Sequence, residues 1–430
     1  MTDTPNNTNN SSRRDFLKAS TVTASTLAAA ATVAPYVHAQ GNAELRVGLI
    51  GCGGRGTGAA KNALRADRNV KLVAMGDMYQ DRLNGSLAGL RSEADIRNKV
   101  DVPRERQFTG WNAYQQVINS GVDVVLLATP PYFRPEHIEA AVEARKHVFA
   151  EKPVAVDGTG IRRVLAACQK ARQRGLSVVS GLCWRYHDGM RQTFTRIQNG
   201  TIGDIVTMQC NYLTGTLWLR RRGADWTDLD YQVRNWLYYT WLSGDFNVEQ
   251  HVHSLDKMAW AMGDQYPVSC YGLGGRQVRT DPAFGHVYDH MSCVYEYANG
   301  VKAFSHCRQM GGCHNEVKDY IYGTKGMASA MDYSITGETN WRLDARQRRA
   351  ITSMYQQEHN ELFASIRNNQ PINNGDYMAK SSLMGIMGRM ACYTGQKITW
   401  NQALNSTQEL LPPRDILGTV RTPEVAMPGR

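Results

Sequence analysis

Residues 44–56 read Glu-Leu-Arg-Val-Gly-Leu-Ile-Gly-Cys-Gly-Gly-Arg-Gly, a short apolar run that leads into a cluster of glycines. A helical pattern follows over residues 57–66, and a second apolar run over residues 71–75 ends at Gly76 and Asp77. Strand, glycine turn, helix, strand and acid therefore follow one another without interruption. This order predicts a single β–α–β unit with parallel strands.

The glycines of residues 51–56 have the spacing Gly-x-Gly-x-x-Gly, which is typical of a loop that binds a dinucleotide. Gly51 permits the tight turn, Gly53 lets backbone approach a pyrophosphate, and Gly56 lets helix and strand pack closely. The N-terminus of the helix would offer unpaired N–H groups to the phosphates. The motif therefore predicts a nicotinamide dinucleotide as cofactor.

The acid at the end of the second strand bears on which dinucleotide is used. Asp77 stands where a carboxylate accepts hydrogen bonds from the adenosine ribose, and its charge would repel a 2′-phosphate. NAD is therefore favoured. Arg55 and Arg82 are cations that could instead accommodate NADP, which stays open as an alternative.

Strand-type runs and helical patterns go on alternating through the first half of the chain. They occupy residues 122–129, 136–145, 147–150, 161–174 and 176–182. This rhythm predicts a Rossmann-like, doubly wound parallel sheet whose ligand lies at the carboxyl ends of the strands. The residues expected to bind the cofactor there are Gly51, Gly53, Gly54, Arg55, Gly56, Asp77, Thr129, Pro130, Glu151 and Lys152.

The length of 430 residues is too great for one ordinary core, so two domains are expected. We place a dinucleotide-binding domain at residues 44–182, a substrate and oligomerisation domain at residues 183–400, and a tail at residues 401–430. The formal net charge is +10, but no nucleic-acid motif accompanies the basic residues. No nucleic-acid partner is expected.

The first 39 residues have the pattern of an export signal. Arg13 and Arg14 precede an Ala/Thr/Val-rich stretch at residues 19–34, and small residues at 37–39 suit a cleavage site. Paired arginines are typical of a twin-arginine signal, which the twin-arginine translocase recognises on folded proteins. We expect a periplasmic protein. The apolar stretch is short and broken by Pro35, so a stable membrane anchor is not expected.

Taken together, these motifs resemble the glucose–fructose oxidoreductase, inositol dehydrogenase and rhizopine catabolism (Gfo/Idh/MocA) family. The resemblance extends over residues 44–400 and includes Glu151-Lys152-Pro153 and Trp184-Arg185-Tyr186. It also includes a distal His motif and the closing pattern of Tyr355, Glu358, Phe363, Ile366 and Gly395. The exported, twin-arginine subgroup of the family is the best match.

The resemblance implies a fold, an activity and an assembly. The second domain would be α/β with a large, open, mostly antiparallel sheet. The activity would be hydride transfer to or from a hydroxyl or keto group of a sugar, glycoside or polyol. The NAD(P) would be tightly bound, as in exported members that keep their cofactor through turnover. A homo-oligomer is expected.

The distal motif covers residues 243–256, in which the family shows an acid, then a His four residues later, then an Asp three residues after that. Glu249, His253 and Asp256 fall at these places, and His251 stands where a glycine is usual. On one helical turn, Glu249 and His253 would share a face. We expect His253 to be the general acid/base, Lys152 its electrostatic partner and possible proton relay, and Glu249 the residue that orients the imidazole.

Three further residues are expected to contact the substrate, namely Arg185, Tyr186 and His251. The series Glu249-x-His251-x-His253 would be a metal site if it lay on a strand, but a helical start separates the imidazoles, and no metal is expected. Five of the nine tryptophans lie between residues 218 and 260. Their rings suit sugar faces, although a place in the core or at an interface is the more frequent one.

Two other functions compete with net oxidoreduction. A glycoside hydrolase or lyase would oxidise C3 transiently, eliminate, and return the hydride. It would need an extra base, for which His251 or Tyr186 is available. A catalytically silent periplasmic protein that binds a sugar or a nucleotide would keep the fold without the chemistry.

Overall fold

Six parallel strands form the sheet that carries the glycine motif in the computed structural model, which describes residues 43–410 and 420–429. Their order is β3-β2-β1-β4-β5-β6, with β1 in the middle. The strands are β1 (Leu45–Ile50), β2 (Val70–Asp77), β3 (Gln107–Thr109), β4 (Val124–Leu127), β5 (His147–Ala150) and β6 (Val178–Ser180). The predicted doubly wound parallel sheet is confirmed, and β1 and β4 meet at the reversal of strand order, where such sheets bind ligands.

Helices cover both faces of this sheet. They are α1 (Gly54–Ala66), α2 (Gln80–Arg91), α3 (Ala113–Asn119), α4 (Arg134–Glu143) and α5 (Gly158–Gln173). The first begins three residues before the predicted start at residue 57, because its first turn lies inside the glycine motif. A Cβ on Gly56 would come within 1.9 Å of the carbonyl oxygen of Gly51, so only glycine lets α1 start this close to β1.

The second half is built on a nine-stranded sheet. Its order is β14-β13-β12-β11-β7-β10-β9-β8-β15, and β7 and β10 form its one parallel pair. The strands are β7 (Ile205–Thr214), β8 (Ser269–Gly275), β9 (His290–Glu296), β10 (Lys302–Gln309), β11 (Glu316–Gly323), β12 (Gly326–Ser329), β13 (Ser334–Gly337), β14 (Trp341–Arg342) and β15 (Ile398–Thr399). A large, mostly antiparallel sheet was expected here and is confirmed.

The second half also contains a series of helices. They are α6 (Asp188–Gln198), α7 (Asp228–Arg234), α8 (Thr240–Ser243), α9 (Phe246–Glu249), α10 (Val252–Ala261), α11 (Ala345–Ala350), α12 (Met354–Arg367), α13 (Gly375–Thr394) and α14 (Trp400–Leu404). The long α13 contacts β8, α5, α9 and α10, and most of its side chains are buried. It therefore joins the two halves of the chain.

One helix of the second half belongs to the core of the first. In α12, Leu362, Phe363 and Ile366 are buried among side chains of β1 and β2. Arg367 donates to the Asp67 carboxylate at 2.8 Å, just beyond the end of α1. A simple cut at residue 182 thus does not separate two independent cores.

Two expectations concern parts of the chain that the structure does not describe. The predicted export signal at residues 1–39 lies outside the described residues, as do residues 411–419 of the predicted tail. Among the helices that are described, none combines the length and the apolar content needed to cross a bilayer.

Candidate active site

The glycine turn between β1 and α1 has the shape that a phosphate site needs. Gly51 has φ +97°, and a Cβ there would lie 2.6 Å from the backbone nitrogen of Thr129. Cβ atoms at Gly53 and Gly54 would meet nothing within 4 Å, so backbone faces open space at both positions. No side chain caps the start of α1 and its first turn holds no acid, which leaves its first N–H groups available to an anion. The expected pyrophosphate fits this turn.

A cavity of about 430 Å³ lies directly in front of this turn. The structure brings eight of the predicted cofactor residues to its wall, namely Gly51, Gly53, Gly54, Arg55, Gly56, Asp77, Thr129 and Pro130. Arg82 lies on the same wall. Glu151 and Lys152, which were also predicted to bind the cofactor, do not line it.

Asp77 is held in place by backbone at the end of β2. One carboxylate oxygen accepts from the backbone N–H of Cys52 at 2.6 Å, and the other accepts from that of Tyr79 at 3.0 Å. Burial raises the pKa of the Asp77 carboxyl, and the two N–H groups oppose that rise. Each oxygen keeps a lone pair for a ribose hydroxyl, so the carboxylate is presented to the cavity in a fixed orientation.

Glu151 points into a buried ion cluster and away from the cavity. Its carboxylate accepts from Arg55, whose guanidinium also donates to Glu358 of α12 at 2.8 Å. Burial alone would raise the pKa of the Glu151 carboxyl, but Arg55, Arg134 and Lys152 outweigh it and lower the pKa. Burial and the charge of Glu151 raise the pKa of Glu358 well above its ordinary value. Glu151 therefore anchors Arg55 and is not among the residues that line the cavity, where it was predicted to contact the cofactor.

Lys152 and Glu249 form an ion pair between the two halves. The Lys152 ammonium donates to Glu249 Oε1 at 2.9 Å and also to the backbone carbonyl of Glu249. Their side chains are 15% and 11% exposed, so the pair is largely withdrawn from water but open on one side. The geometry places a cation at a fixed point beside the distal His motif.

His253 is half-buried near this ammonium, and its Nδ1 has no hydrogen-bond partner. Burial lowers the pKa of His253 well below its ordinary value, and the charges of Lys152 and Lys257 lower it further. The imidazole is therefore neutral at neutral pH and able to accept a proton.

Glu249 and His253, which were predicted to share a face on one helical turn, lie on separate helices. Glu249 is the last residue of α9, and His253 belongs to α10, because the chain breaks its helix at Gln250 and His251. The carboxylate of Glu249 contacts Lys152 and holds the cation, not the imidazole. Among the described residues, no three or more His, Cys, Asp or Glu side chains are arranged to hold a metal.

His251 lies in the core and has no access to a substrate. It is 0% exposed, its Nε2 lies 2.6 Å from Ser305 Oγ, and burial lowers its pKa to about 3. The side chain takes the inward direction because β7 and β10 pass directly beneath the break between α9 and α10. Its predicted role as a substrate contact, or as the extra base of an elimination, finds no support in this placement.

Arg185 and Tyr186 are likewise engaged elsewhere. Arg185 pairs with Asp256 at 2.8 Å and Asp264 at 2.6 Å, and its guanidinium lies over the ring of Tyr377. Tyr186 is 3% exposed and donates to Asn374 at 2.6 Å. The structure thus gives both residues partners within residues 183–400, whereas contacts with the substrate were predicted.

Sequence reasoning missed several residues at the site. Trp218, Arg220 and Trp236 of the second half line the dinucleotide cavity. Tyr212 of β7 meets His251 edge-on, and burial together with Glu249 raises its pKa to about 12. The period-two pattern of β7 could have indicated that Tyr212 faces the helices, but no local pattern ties residues 218–236 to the first half.

Comparison with known proteins agrees with this geometry. Residues 45–179 match the profile of an oxidoreductase family with an NAD-binding Rossmann fold, and residues 190–329 match the GFO/IDH/MocA C-terminal domain. An inositol 2-dehydrogenase from Saccharopolyspora erythraea is 26% identical over 68% of this chain and 75% of its own. A 2,7-anhydro-N-acetylneuraminate hydratase from Escherichia coli is 26% identical over 54% of this chain, and the match spans 58% of the hydratase.

Solved structures share the fold. Scyllo-inositol dehydrogenase from Lactobacillus casei, with bound NAD(H) and scyllo-inositol, superposes with a TM-score of 0.63 at 19% identity over 83% of this chain and 99% of its own. Aldose-aldose oxidoreductase from Caulobacter crescentus, complexed with glycerol, gives a TM-score of 0.64 at 18% identity over the same shares. With both domains matched over well above half of its length, the chain belongs to the Gfo/Idh/MocA oxidoreductase family.

Proposed function

We propose that the protein is an NAD-dependent oxidoreductase that transfers hydride at a hydroxyl or keto carbon of a sugar, glycoside or polyol. The observation that carries this proposal is the cluster of Lys152 and His253. The cluster is linked to the wall of the dinucleotide cavity through Arg134, which donates to the backbone carbonyls of Pro153 and Thr129. A nicotinamide bound there would accept or supply the hydride. The inositol dehydrogenases among the relatives support a polyol as substrate class.

The chain's own residues supply the acid–base chemistry of this proposal. His253 is neutral, so its imidazole takes the hydroxyl proton when the alcohol is oxidised and returns it in the reverse direction. The Lys152 ammonium, fixed by Glu249, stabilises the negative charge that develops on the substrate oxygen. Lys152 also relays the proton of the substrate hydroxyl. Asp77 favours NAD over NADP because an anion faces the ribose.

The proposal is tested by identifying the nucleotide released from the purified, denatured protein and by assaying inositols, free sugars and glycosides. Lys152→Ala and His253→Ala are expected to keep the nucleotide and to lose at least 100-fold in turnover. Lys146→Ala, a change at a half-buried residue just before the amino end of β5, is the matched control and should keep full activity. Full turnover in both site variants would refute the assigned roles.

A redox-neutral reaction is the second candidate, because one relative is named a hydratase. In that case glycosides would be consumed over many turnovers while the bound cofactor returns to NAD, whereas the first candidate converts the bound NAD to NADH, up to one equivalent per protein, when a polyol is the only substrate. A chain that binds NAD but exchanges hydride with none of the inositols, sugars and glycosides tested would be a binding protein without catalytic activity.

We further propose that NAD stays bound through turnover and that the protein works in the periplasm. Retention is supported by the way residues of the second half close the dinucleotide cavity. Export is supported by Arg13 and Arg14 within residues 1–39. Replacing both arginines by lysine should leave the protein in the cytoplasmic fraction with its activity intact.

Assembly into a homo-oligomer through the open face of the second sheet is also proposed. Tyr271 and Phe304 lie on either side of Val294 across three strands and are 39% and 40% exposed, and Leu273 on the same face is 68% exposed. A bare apolar face of this kind is typical of a protein interface. Leu273→Glu should reduce the mass seen by light scattering to that of a monomer.

A further inference from the structure

Residues 215–239 run from the end of β7 to the start of α8 and cross the open side of the dinucleotide cavity. We call this segment the strap. Five of its side chains line the cavity opposite the glycine turn, namely Trp218, Arg220, Val233, Arg234 and Trp236. The cavity is thus closed by a part of the chain that lies outside the Rossmann sheet.

The strap is fastened to the first half at the end where adenosine is expected. Both terminal nitrogens of Arg234 donate to the two oxygens of Asp81 in α2, each at 2.8 Å. The same guanidinium lies 3.8 Å from the ring centre of Tyr79. The Tyr79 hydroxyl in turn donates to Asp230 of the strap at 3.0 Å. These contacts adjoin Asp77, which marks the adenosine ribose.

A second attachment follows at the far side of the cleft. Trp241, two residues beyond the strap, meets Tyr132 edge-on at 5.4 Å and Phe133 at 6.5 Å. Tyr132 and Phe133 come directly after Pro130 at the end of β4. The strap is therefore held on both sides of the cavity, at the ends of β2 and β4.

The inner surface of the strap suits an adenine nucleotide. Trp218 on the strap and Trp111 on the first half are 40% and 43% exposed, and both line the cavity. Partly exposed indoles can stack on flat aromatic bases. The Arg220 guanidinium lies 5.3 Å from the ring centre of Trp218. Arg220 is exposed at the same wall and offers a guanidinium to a phosphate.

We propose that the strap is a second part of the dinucleotide site, which binds the adenosine half and must detach from Asp81 before the cofactor can leave. The inference rests on the proposed function in that it takes the cavity to hold a nicotinamide dinucleotide. It assigns Trp218, Trp236 and Arg220 to cofactor binding. The Arg234–Asp81 pair is assigned to control of cofactor exchange.

Stopped-flow measurement of NADH release, followed by energy transfer from tryptophan, tests this proposal. Asp81→Asn removes one partner of the fastening without touching the cavity wall, and release should become at least threefold faster. Arg222→Gln breaks an exposed pair with Asp228, at 2.6 Å, that lies wholly within the strap. This matched control should release NADH at the parent rate.

Fragments of the dinucleotide show which half of the cofactor the strap binds. ADP-ribose, which keeps the adenosine half, should show the same acceleration in Asp81→Asn, whereas nicotinamide mononucleotide should show none. Trp218→Ala should weaken ADP-ribose binding at least fivefold. A parent rate of release in Asp81→Asn, in a protein that binds NADH and transfers hydride, would overturn the strap inference alone. A parent protein that binds no dinucleotide would overturn the proposed function and this inference with it.

Discussion

Asp245 has a backbone conformation that residues other than glycine seldom adopt. Its φ of 72° and ψ of 162° cost about 1–3 kcal/mol. The buried carboxylate offsets this strain by accepting from the Tyr393 hydroxyl and from the backbone N–H groups of Phe246 and Tyr288. Four residues further on stands Glu249, so the strained residue fixes the start of the segment that carries the site.

We expect Asp245→Gly to be more destabilising than Asp245→Asn. Glycine relieves the backbone strain of about 1–3 kcal/mol, but it leaves the Tyr393 hydroxyl and the N–H groups of Phe246 and Tyr288 without their acceptor, at about 1–3 kcal/mol each, whereas asparagine keeps one acceptor oxygen. Urea unfolding of both variants measures the difference, with Tyr393→Phe as the control that removes one donor. A glycine variant as stable as the asparagine variant would show that relief of the backbone strain outweighs the lost acceptors.

Burial is the main cause of the low pKa of His253, and the charge of Lys152 is the second. In Lys152→Met the cation is gone and the protonated imidazole is less disfavoured, so the pKa of His253 should rise toward its ordinary value. An NMR titration of histidine-labelled protein checks this, and Lys170→Met, on the exposed surface of α5, is the control. An unchanged His253 titration would mean that the ammonium and the imidazole do not interact.

At the scale of elements, α12 brings Glu358 to the guanidinium that also binds Glu151. Burial and the charge of Glu151 raise the pKa of Glu358 well above its ordinary value, which favours the protonated carboxyl at this position. Glu358→Gln should therefore leave the free energy of unfolding nearly unchanged, whereas Glu151→Gln should lower it by about 3 kcal/mol. Chemical denaturation of the two isosteric variants decides this, and equal losses would show that both carboxylates are ionised.

Some elements could be predicted from the sequence and others could not. The first sheet could be predicted from short stretches of sequence. β1, α1 and β2 follow one another, and the glycine motif, the hydrophobic periodicity and Asp77 all lie within this one stretch. The break between α9 and α10 was missed because the spacing of Glu249 and His253 suits one helix, and only the core around His251 forces the chain to turn. The strap was missed because its contacts with Tyr79 and Asp81 join residues more than a hundred positions apart.

At the scale of the whole molecule, several histidines are buried in the neutral form. His147 accepts the backbone N–H of Ser177 on Nδ1 at 3.0 Å, and burial lowers its pKa to about 4. The unfolded chain takes up the proton near pH 6.5 and the folded chain does not, so stability is complete above pH 6.5 and falls as the pH drops toward 4. This one group contributes about 3 kcal/mol over that window.

His147→Asn keeps an acceptor for Ser177 and removes the titration. Its free energy of unfolding should fall less steeply between pH 6.5 and 4 than that of the parent, while the two converge in slope above pH 7. Thermal or urea unfolding at several pH values measures both slopes. Parallel curves throughout would show that His147 takes up its proton equally in the folded and unfolded chains.

The return of α12 to the first half sets an order for biosynthesis. Leu362, Phe363 and Ile366 complete the core around β1 and β2, yet the ribosome adds them only after more than four-fifths of the polypeptide has emerged. Until then the hydrophobic surface that α12 covers beside β1 and β2 stays exposed to solvent. We expect the nucleotide-binding portion to need chaperones during this time. Expression of that portion by itself is consequently expected to give aggregates, and adding α12 in trans should restore its solubility.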